Sequence, residues 1–262
     1  MVAIVNEKVG TIASDISQTP ANFSPSIYNM IRTISENVIV PIAGIILTII
    51  ACYELIQLII EHNNLQHFET WIFLKWIFKT YIAIYLISNT FTIVMAVFDV
   101  AQYVVNQSTG LITGSASLSP SMLDSMRTAV QSMGAGELFG LYIQTEIVLF
   151  IMNALSAVIF VIIYARMIEI YLMVSMAPIP FATFGNKEQS HIGQNFLRSI
   201  AALAFQAFLI IICVAIYAVL IQTGVTSTNV SGAMWGIVGY TVLLCFTLFK
   251  TGSLAKRIFA AH

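Results

Sequence analysis

The sequence predicts an all-α integral membrane protein. It has about five transmembrane helices (six being the alternative), amphipathic surface helices, and one helix broken at an Ala-Pro-Ile-Pro element. Three observations predict this. Of the 262 residues, 58% are hydrophobic and only 9% are charged, against about 25% charged in soluble domains. Mean hydropathy is +0.89. The apolar residues are gathered in runs of about 20, the length a helix needs to cross about 30 Å of hydrocarbon. This composition excludes an ordinary water-soluble globule, and a disordered chain is excluded too, because it would be rich in charge. A net charge of −1 gives no global attraction for nucleic acid. The N-terminal MVAIVNEKVGTIASDISQ has no basic stretch before a compact apolar core, so it does not read as a cleaved signal peptide.

The first span is expected over residues 38–60, with Pro41 near its start and Glu54 within it. It is preceded by an external amphipathic segment, 1–37. In that segment Ser24-Pro25 opens a stretch with Ile27, Ile31, Ile34 and Val38 at helical spacing. The second span is expected over 81–105, with Asn89 in its body and Asp99 near its far end. A Ser/Gly-rich external loop, 106–136, follows. Within it Ser119-Pro120 opens a short helix with Met122, Met126, Val130 and Met133 on one face. A third span starts near Leu138 or Ile147 and runs to the two prolines, and residues 201–221 and 233–249 form the last two. A cytoplasmic loop, 183–200, and a basic tail, 250–262, complete a single polytopic membrane domain.

Charge placement alone does not choose between five and six spans. Both schemes split the basic residues eight to three across the membrane. Two local features favour five, with the N-terminus outside and the C-terminus in the cytoplasm. YARMIEIY has no Gly or Pro to turn the chain, so it reads as continuous helix with Arg166 and Glu169 one turn apart. Lys75 and Lys79, interleaved with tryptophans in WIFLKWIFKT, read as a cytoplasmic interfacial anchor.

Ionisable residues within spans are costly and therefore candidates for function. Glu54, Asp99 and Glu146 are candidates for a polar path, although Asp99 and Glu146 sit near span ends where water reaches. Arg166 and Glu169 read as a cytoplasmic ion pair. His62 and His67, with Glu61 and Glu69 in EHNNLQHFE, match no zinc spacing and read as a solvated loop. Cys52, Cys213 and Cys245 each lie in an apolar run without CxxC spacing. No catalytic motif is present, and no histidine lies in a span to activate Ser156, so no enzyme, cofactor or metal is expected. GELFG and GAMWG are small-xxx-small patterns that permit close helix approach.

The most distinctive stretch runs from Arg166 to Gln206. An apolar helix ends at Ala177-Pro178-Ile179-Pro180, because each proline lacks an N–H and disfavours helix in the residue before it. A polar loop and a helix carrying Phe196 and Arg198 follow, forming a rigid elbow. The order Arg-x-x-Glu, apolar run, Ala-Pro-Ile-Pro, then Gly-Gln-Asn-Phe-x-Arg-Ser-Ile-x-Ala-Leu-x-x-Gln resembles the TrbL-like membrane subunits of conjugative type IV secretion systems, Gram-positive type. The resemblance covers roughly residues 38–250 and is sharpest over 164–210.

The resemblance implies a non-enzymatic channel or platform subunit in the cytoplasmic membrane. Such a subunit sits among membrane lipids and other secretion components as a homo-oligomeric ring, helping pass DNA or protein. Separate ATPases supply the energy, and they would face Lys187, Arg198, Lys250, Lys256 and Arg257. One alternative is a small proton-coupled transporter or channel using Glu54 and Asp99, with the Pro178 break as a discontinuous helix. Another is an immunity or scaffold protein acting by helix packing alone.

Overall fold

The structure is a computed structural model that describes residues 10–11, 14–61, 70–112, 120–186, 188–224 and 230–261. Among these residues there is no strand. In chain order come α1 (Pro20–Phe23), α2 (Pro25–Ile34), a π-helical turn (Ser35–Ile39), α3 (Val40–Glu61), α4 (Thr70–Ser88) and α5 (Thr90–Ile112). Next come α6 (Pro120–Gln131), α7 (Ala135–Met176), α8 (Pro178–Ala182), a 3-10 turn (Thr183–Gly185), α9 (Ser190–Gly224) and α10 (Val230–Ile258). Among the described residues, five helical stretches are long and apolar enough to cross a membrane: Pro25–Ile60, Thr70–Ser88, Ala135–Gly185, Ser190–Gln222 and Val230–Ile258. The chain is therefore an all-α, multi-pass membrane protein with five candidate spans.

Several boundaries differ from the sequence expectation. The N-terminal amphipathic stretch does not stand apart from the first span. Ser24 caps α2 by accepting from the Ile27 N–H at 3.5 Å, Pro25 takes the first helical position, and the helix continues through the π turn into α3. That turn leaves a signature in burial. Ile31 and Ser35 are buried one turn apart, and a regular helix would continue the stripe near residues 42, 46 and 49. The buried residues are instead Ala43, Leu47 and Ile50, one position later, as expected when one extra residue is accommodated.

The second apolar stretch lies at Thr70–Ser88, earlier than the expected 81–105. Lys75 and Lys79 are therefore inside the helix instead of ahead of it. The regular helix is interrupted at Asn89, whose side chain donates to the Tyr85 carbonyl at 2.9 Å while the Thr90 hydroxyl donates to Leu86 at 2.7 Å. Side chains that bond the carbonyl four residues back compete with the backbone ladder. The described residues of the 106–136 segment are largely helical, taken up by the end of α5, by α6 and by the start of α7. Val130 and Met133 pack on the apolar core, while Ser119 and the side chains of Met122 and Met126 lie outside the described residues.

Helix α7 is unbroken through Arg166 for 42 residues, a rise of about 63 Å, so no turn divides it into two spans. Residues 190–200 belong to α9, which reduces the expected 183–200 loop to the few residues after Gly185.

The chain forms two compact units. One comprises Met1–Gln18, Ala101–Arg166 and Phe205–Ala255, and the other Thr19–Val100, Met167–Ala204 and Lys256–His262. The core of the first is a single apolar cluster. Val148, Met152, Ile159 and Ile163 of α7 meet Ile210, Val214 and Tyr217 of α9, and Ile237 and Leu248 of α10. Lipid tails are as apolar as leucine, so such a core coheres in a bilayer by close packing and interhelical hydrogen bonds. The bonds are present. Tyr217 Oη lies 2.7 Å from Thr241 Oγ1, Gln206 donates to Thr251 at 3.3 Å, and the Ser231 hydroxyl donates to Gln144. In the second unit the Tyr171 hydroxyl donates to the Pro20 carbonyl at 2.6 Å, and Tyr28 meets Phe91 edge-on at 5.3 Å.

At three of the four glycines of GELFG and GAMWG no other helix comes within reach of a side chain. A Cβ added at Gly136, Gly140 or Gly236 meets nothing within 4 Å.

Candidate functional site: the proline elbow and its polar clasp

The elbow begins with a missing hydrogen bond. Pro178 has no N–H to offer the Val174 carbonyl four residues back, and the Ala177 N–H takes that carbonyl in a tighter turn at 3.3 Å. The interruption is one residue long. Ala177 stays in the right-handed region (φ −54°, ψ −36°), and Pro178 opens α8 at the position where a missing N–H costs nothing. The expected stop at Ala177-Pro178-Ile179-Pro180 is thus a brief break, because proline at the start of a new helix is compatible with resuming it.

Beyond the break the chain closes on itself. The Thr183 hydroxyl donates to the Pro180 carbonyl at 2.7 Å and accepts the Gly193 N–H at 3.1 Å. Gly193 is required by proximity, since a Cβ there would lie 2.8 Å from Pro180 O and 3.0 Å from the Phe184 ring. Phe181, buried, meets Phe184 and Phe196 edge-on at 5.4 and 6.4 Å. Asn186, also buried, accepts the Glu188 N–H on its side chain at 2.7 Å and the Ser190 N–H on its backbone carbonyl at 2.9 Å, which starts α9.

The elbow is seated on α3 and α4. A Cβ at Gly185 would lie 3.3 Å from Leu47, a member of the buried stripe of α3. Two polar ties reinforce the seat. Glu54 of α3 and Lys79 of α4 form an ion pair whose side chains are 17% and 35% exposed. Gln57, one turn along α3, donates to Tyr53 Oη at 3.0 Å and to the Glu188 carboxylate at 3.4 Å. An isolated carboxylate within a span is expensive, and an opposite charge on the neighbouring helix offsets that cost. The sequence offered Glu54 as part of a polar path and Lys79 as an interfacial anchor. Only the fold brings them together across 25 residues.

Other sequence candidates are placed separately. Asp99 and Glu146 are each exposed at the surface of their own unit. Arg166 is buried, 5% exposed. The Glu169 carboxylate faces Lys256 Nζ at 3.5 Å, and because both side chains are about half exposed this bridge adds little. Arg198, Lys250 and Arg257 are exposed, whereas Lys187, His62, His67 and Glu69 lie outside the described residues. Among the described residues no three His, Cys, Asp or Glu side chains gather as a metal site. Cys52, Cys213 and Cys245 are unbridged.

Comparison with known proteins bears on the first two thirds of this arrangement. No curated protein and no solved structure matches the chain. A family model described as TrbL/VirB6 plasmid conjugal transfer like protein matches residues 5–178, from the N-terminal segment to the first proline of the elbow. The Gly193-Gln-Asn-Phe stretch, where the sequence resemblance is sharpest, lies beyond that range. Since the match takes in more than half of the chain, and three of the five candidate spans begin within it, the chain belongs to the TrbL/VirB6 family of plasmid conjugal transfer proteins.

Proposed function

We propose that this protein is a channel or platform subunit of a conjugative type IV secretion machine in the cytoplasmic membrane, helping DNA or protein substrate to cross. The carrying observation is the family match over residues 5–178. In this reading the N-terminus is outside and the C-terminus cytoplasmic, so the end of the chain bearing the exposed Arg198, Lys250, Lys256 and Arg257 meets the cytosol. These cations, with Lys187, are the docking points for the secretion ATPases, and several copies assemble as a ring with other secretion subunits. The protein is itself non-enzymatic. The elbow links the membrane helices to that cytoplasmic face, and its seat on α3 and α4 supports a role in transmitting movement. Pairing of Glu54 with Lys79 weighs against the proton-coupled transporter, since it gives that carboxylate a structural partner.

Replacing Pro178 and Pro180 together by Ala restores two N–H donors and favours an uninterrupted helix. DNA transfer from donor cells should fall sharply while the amount of membrane-inserted protein is unchanged. Full transfer at normal protein level would refute the elbow's role. Light scattering of the detergent-purified protein reads the assembly state, and a ring of several copies is the expected outcome.

A further inference from the structure

The first membrane helix is held at both ends, one residue out of step. Upstream, Tyr28 meets Phe91 edge-on, and Ile31 and Ser35 are buried. Downstream, Leu47 lies against Gly185, Glu54 pairs with Lys79, and Gln57 reaches Glu188. The π turn between them takes up the extra residue, and α8 packs against both the turn and α3. Holding the turn has a cost. Ser35 is fully buried, and among the described residues its hydroxyl has no hydrogen-bond partner, which is unfavourable for a hydroxyl withdrawn from water. Along the same helical stretch Thr33 and Thr48 satisfy theirs on the carbonyl four residues back, at 2.9 and 2.8 Å.

Without the turn, α3 would rotate by about 100° relative to α2. Each inward position would then pass to the residue before it. Ile42, Ile46 and Ile49 would stand where Ala43, Leu47 and Ile50 now stand, and Tyr53 and Ile56 would stand where Glu54 and Gln57 do. The apolar seat barely distinguishes the two registers, because apolar side chains fill it in both. Its one large change is Ile42 for Ala43, which overpacks the seat and lifts what rests on it. The polar ties do distinguish them, since straightening takes Glu54 from Lys79 and Gln57 from Glu188 and offers a tyrosine and an isoleucine instead. We infer that these two ties are the register lock of α3. While they hold, the π turn persists; once they are released, the turn straightens, α3 rotates about its own axis, and the isoleucine face displaces the elbow from its present seat. This lock operates whether or not the protein serves secretion.

Cysteine cross-linking of the full chain in phosphatidylcholine vesicles reads the register. Cys52, Cys213 and Cys245 are replaced by Ala, and Gly185→Cys is combined with either Leu47→Cys or Ile46→Cys. Oxidation with copper phenanthroline then reports which residue of α3 faces position 185. With the ties intact the 47–185 disulfide should dominate, because a Cβ at Gly185 lies 3.3 Å from Leu47. Glu54→Leu with Gln57→Leu cuts both ties and should raise the ratio of 46–185 to 47–185 product about tenfold, equivalent to about 1.4 kcal/mol. Lys79→Met with Glu188→Leu cuts the same ties from the other side, and helicity of every variant is checked by circular dichroism. Deleting Asn37 removes the turn while keeping residue 47 at the elbow, so in that background cutting the ties should leave the ratio unchanged. A ratio that stays fixed in both pairs of tie variants would overturn the inference. So would an equal shift in the deletion background, which would assign the movement to the elbow and not to the turn.

Discussion

Exchanging glycine for alanine should have opposite effects at two positions of this chain. At Gly193 the new methyl lies 2.8 Å from the Pro180 carbonyl oxygen and 3.0 Å from the Phe184 ring. Pro180 is held by its ring and by the Thr183 hydroxyl, so the oxygen cannot yield cheaply. Overpacking of this kind costs about 1–3 kcal/mol, and alanine returns about 1 kcal/mol of helix propensity. The net effect is a loss of about 1 kcal/mol. At Gly140, within α7, the methyl meets nothing within 4 Å, and the propensity gain of about 1 kcal/mol stands alone. The difference between the two variants is the overpacking term itself, about 1–3 kcal/mol, because the propensity gain cancels. Denaturant titration of the purified protein in micelles, followed by far-UV circular dichroism, measures it by linear extrapolation. If Gly193→Ala is as stable as Gly140→Ala, the closure of the elbow on Gly193 is wrong.

Two further outcomes follow from the polar contacts. Lys79→Met strands the Glu54 carboxylate within a membrane helix and should cost about 1–3 kcal/mol, below the range for fully buried pairs because Lys79 is partly exposed. Adding Glu54→Gln to that variant should recover most of the loss, and a double-mutant cycle with no coupling would contradict the clasp. Tyr217→Phe should cost only about 0.6 kcal/mol. The Thr241 hydroxyl already donates to the Ile237 carbonyl at 2.8 Å, so Tyr217 is the donor of the pair and its removal strands no donor. A loss above about 2 kcal/mol in the same titration would show that the tyrosine does more than this single bond.

What the sequence revealed and what it hid divide along the range of the interactions. Hydropathy over windows of about 20 residues is a one-dimensional property. Span number, the continuity of α7 through Arg166 and the position of the proline break were accordingly legible. Boundaries slipped where a side chain competed locally with the backbone, as at Asn89 and Thr90, or where lysines among tryptophans read as an interfacial anchor ahead of the span, as at Lys75 and Lys79. The missing information there is a partner distant in sequence. Lys79 is acceptable within α4 because Glu54 faces it, and neither residue carries a local sign of the other. Gly193 was visible as part of a motif, but its reason is the approach of a carbonyl thirteen residues earlier. For the small-xxx-small patterns, spacing alone cannot say whether a second helix is present, and at Gly136, Gly140 and Gly236 none within the chain comes within 4 Å of an added Cβ.

The π turn at Ser35–Ile39 has a consequence for how this chain tolerates changes of length. It acts as a phase shifter in the first membrane helix. Upstream of it the buried edge is set by Ile31, and downstream by Ala43, Leu47 and Ile50. Deleting one residue here would restore a plain α-helix and leave both halves in register, since the spacing that runs on from Ile31 and Ser35 would then fall on Ala43, Leu47 and Ile50. The same deletion between Ile31 and Ala43 but outside the turn, with the turn kept, would rotate everything before the cut by about 100° relative to everything after it. With the downstream half anchored on Leu47 and Gly185, that twist would carry Ile31 away from its buried edge. With the upstream half anchored instead, Gly44, Thr48 and Ala51 would take the places of the stripe that now seats the elbow. The turn therefore absorbs one residue of length at this point, and a relative that closes a gap here would still present the same faces of the same helix.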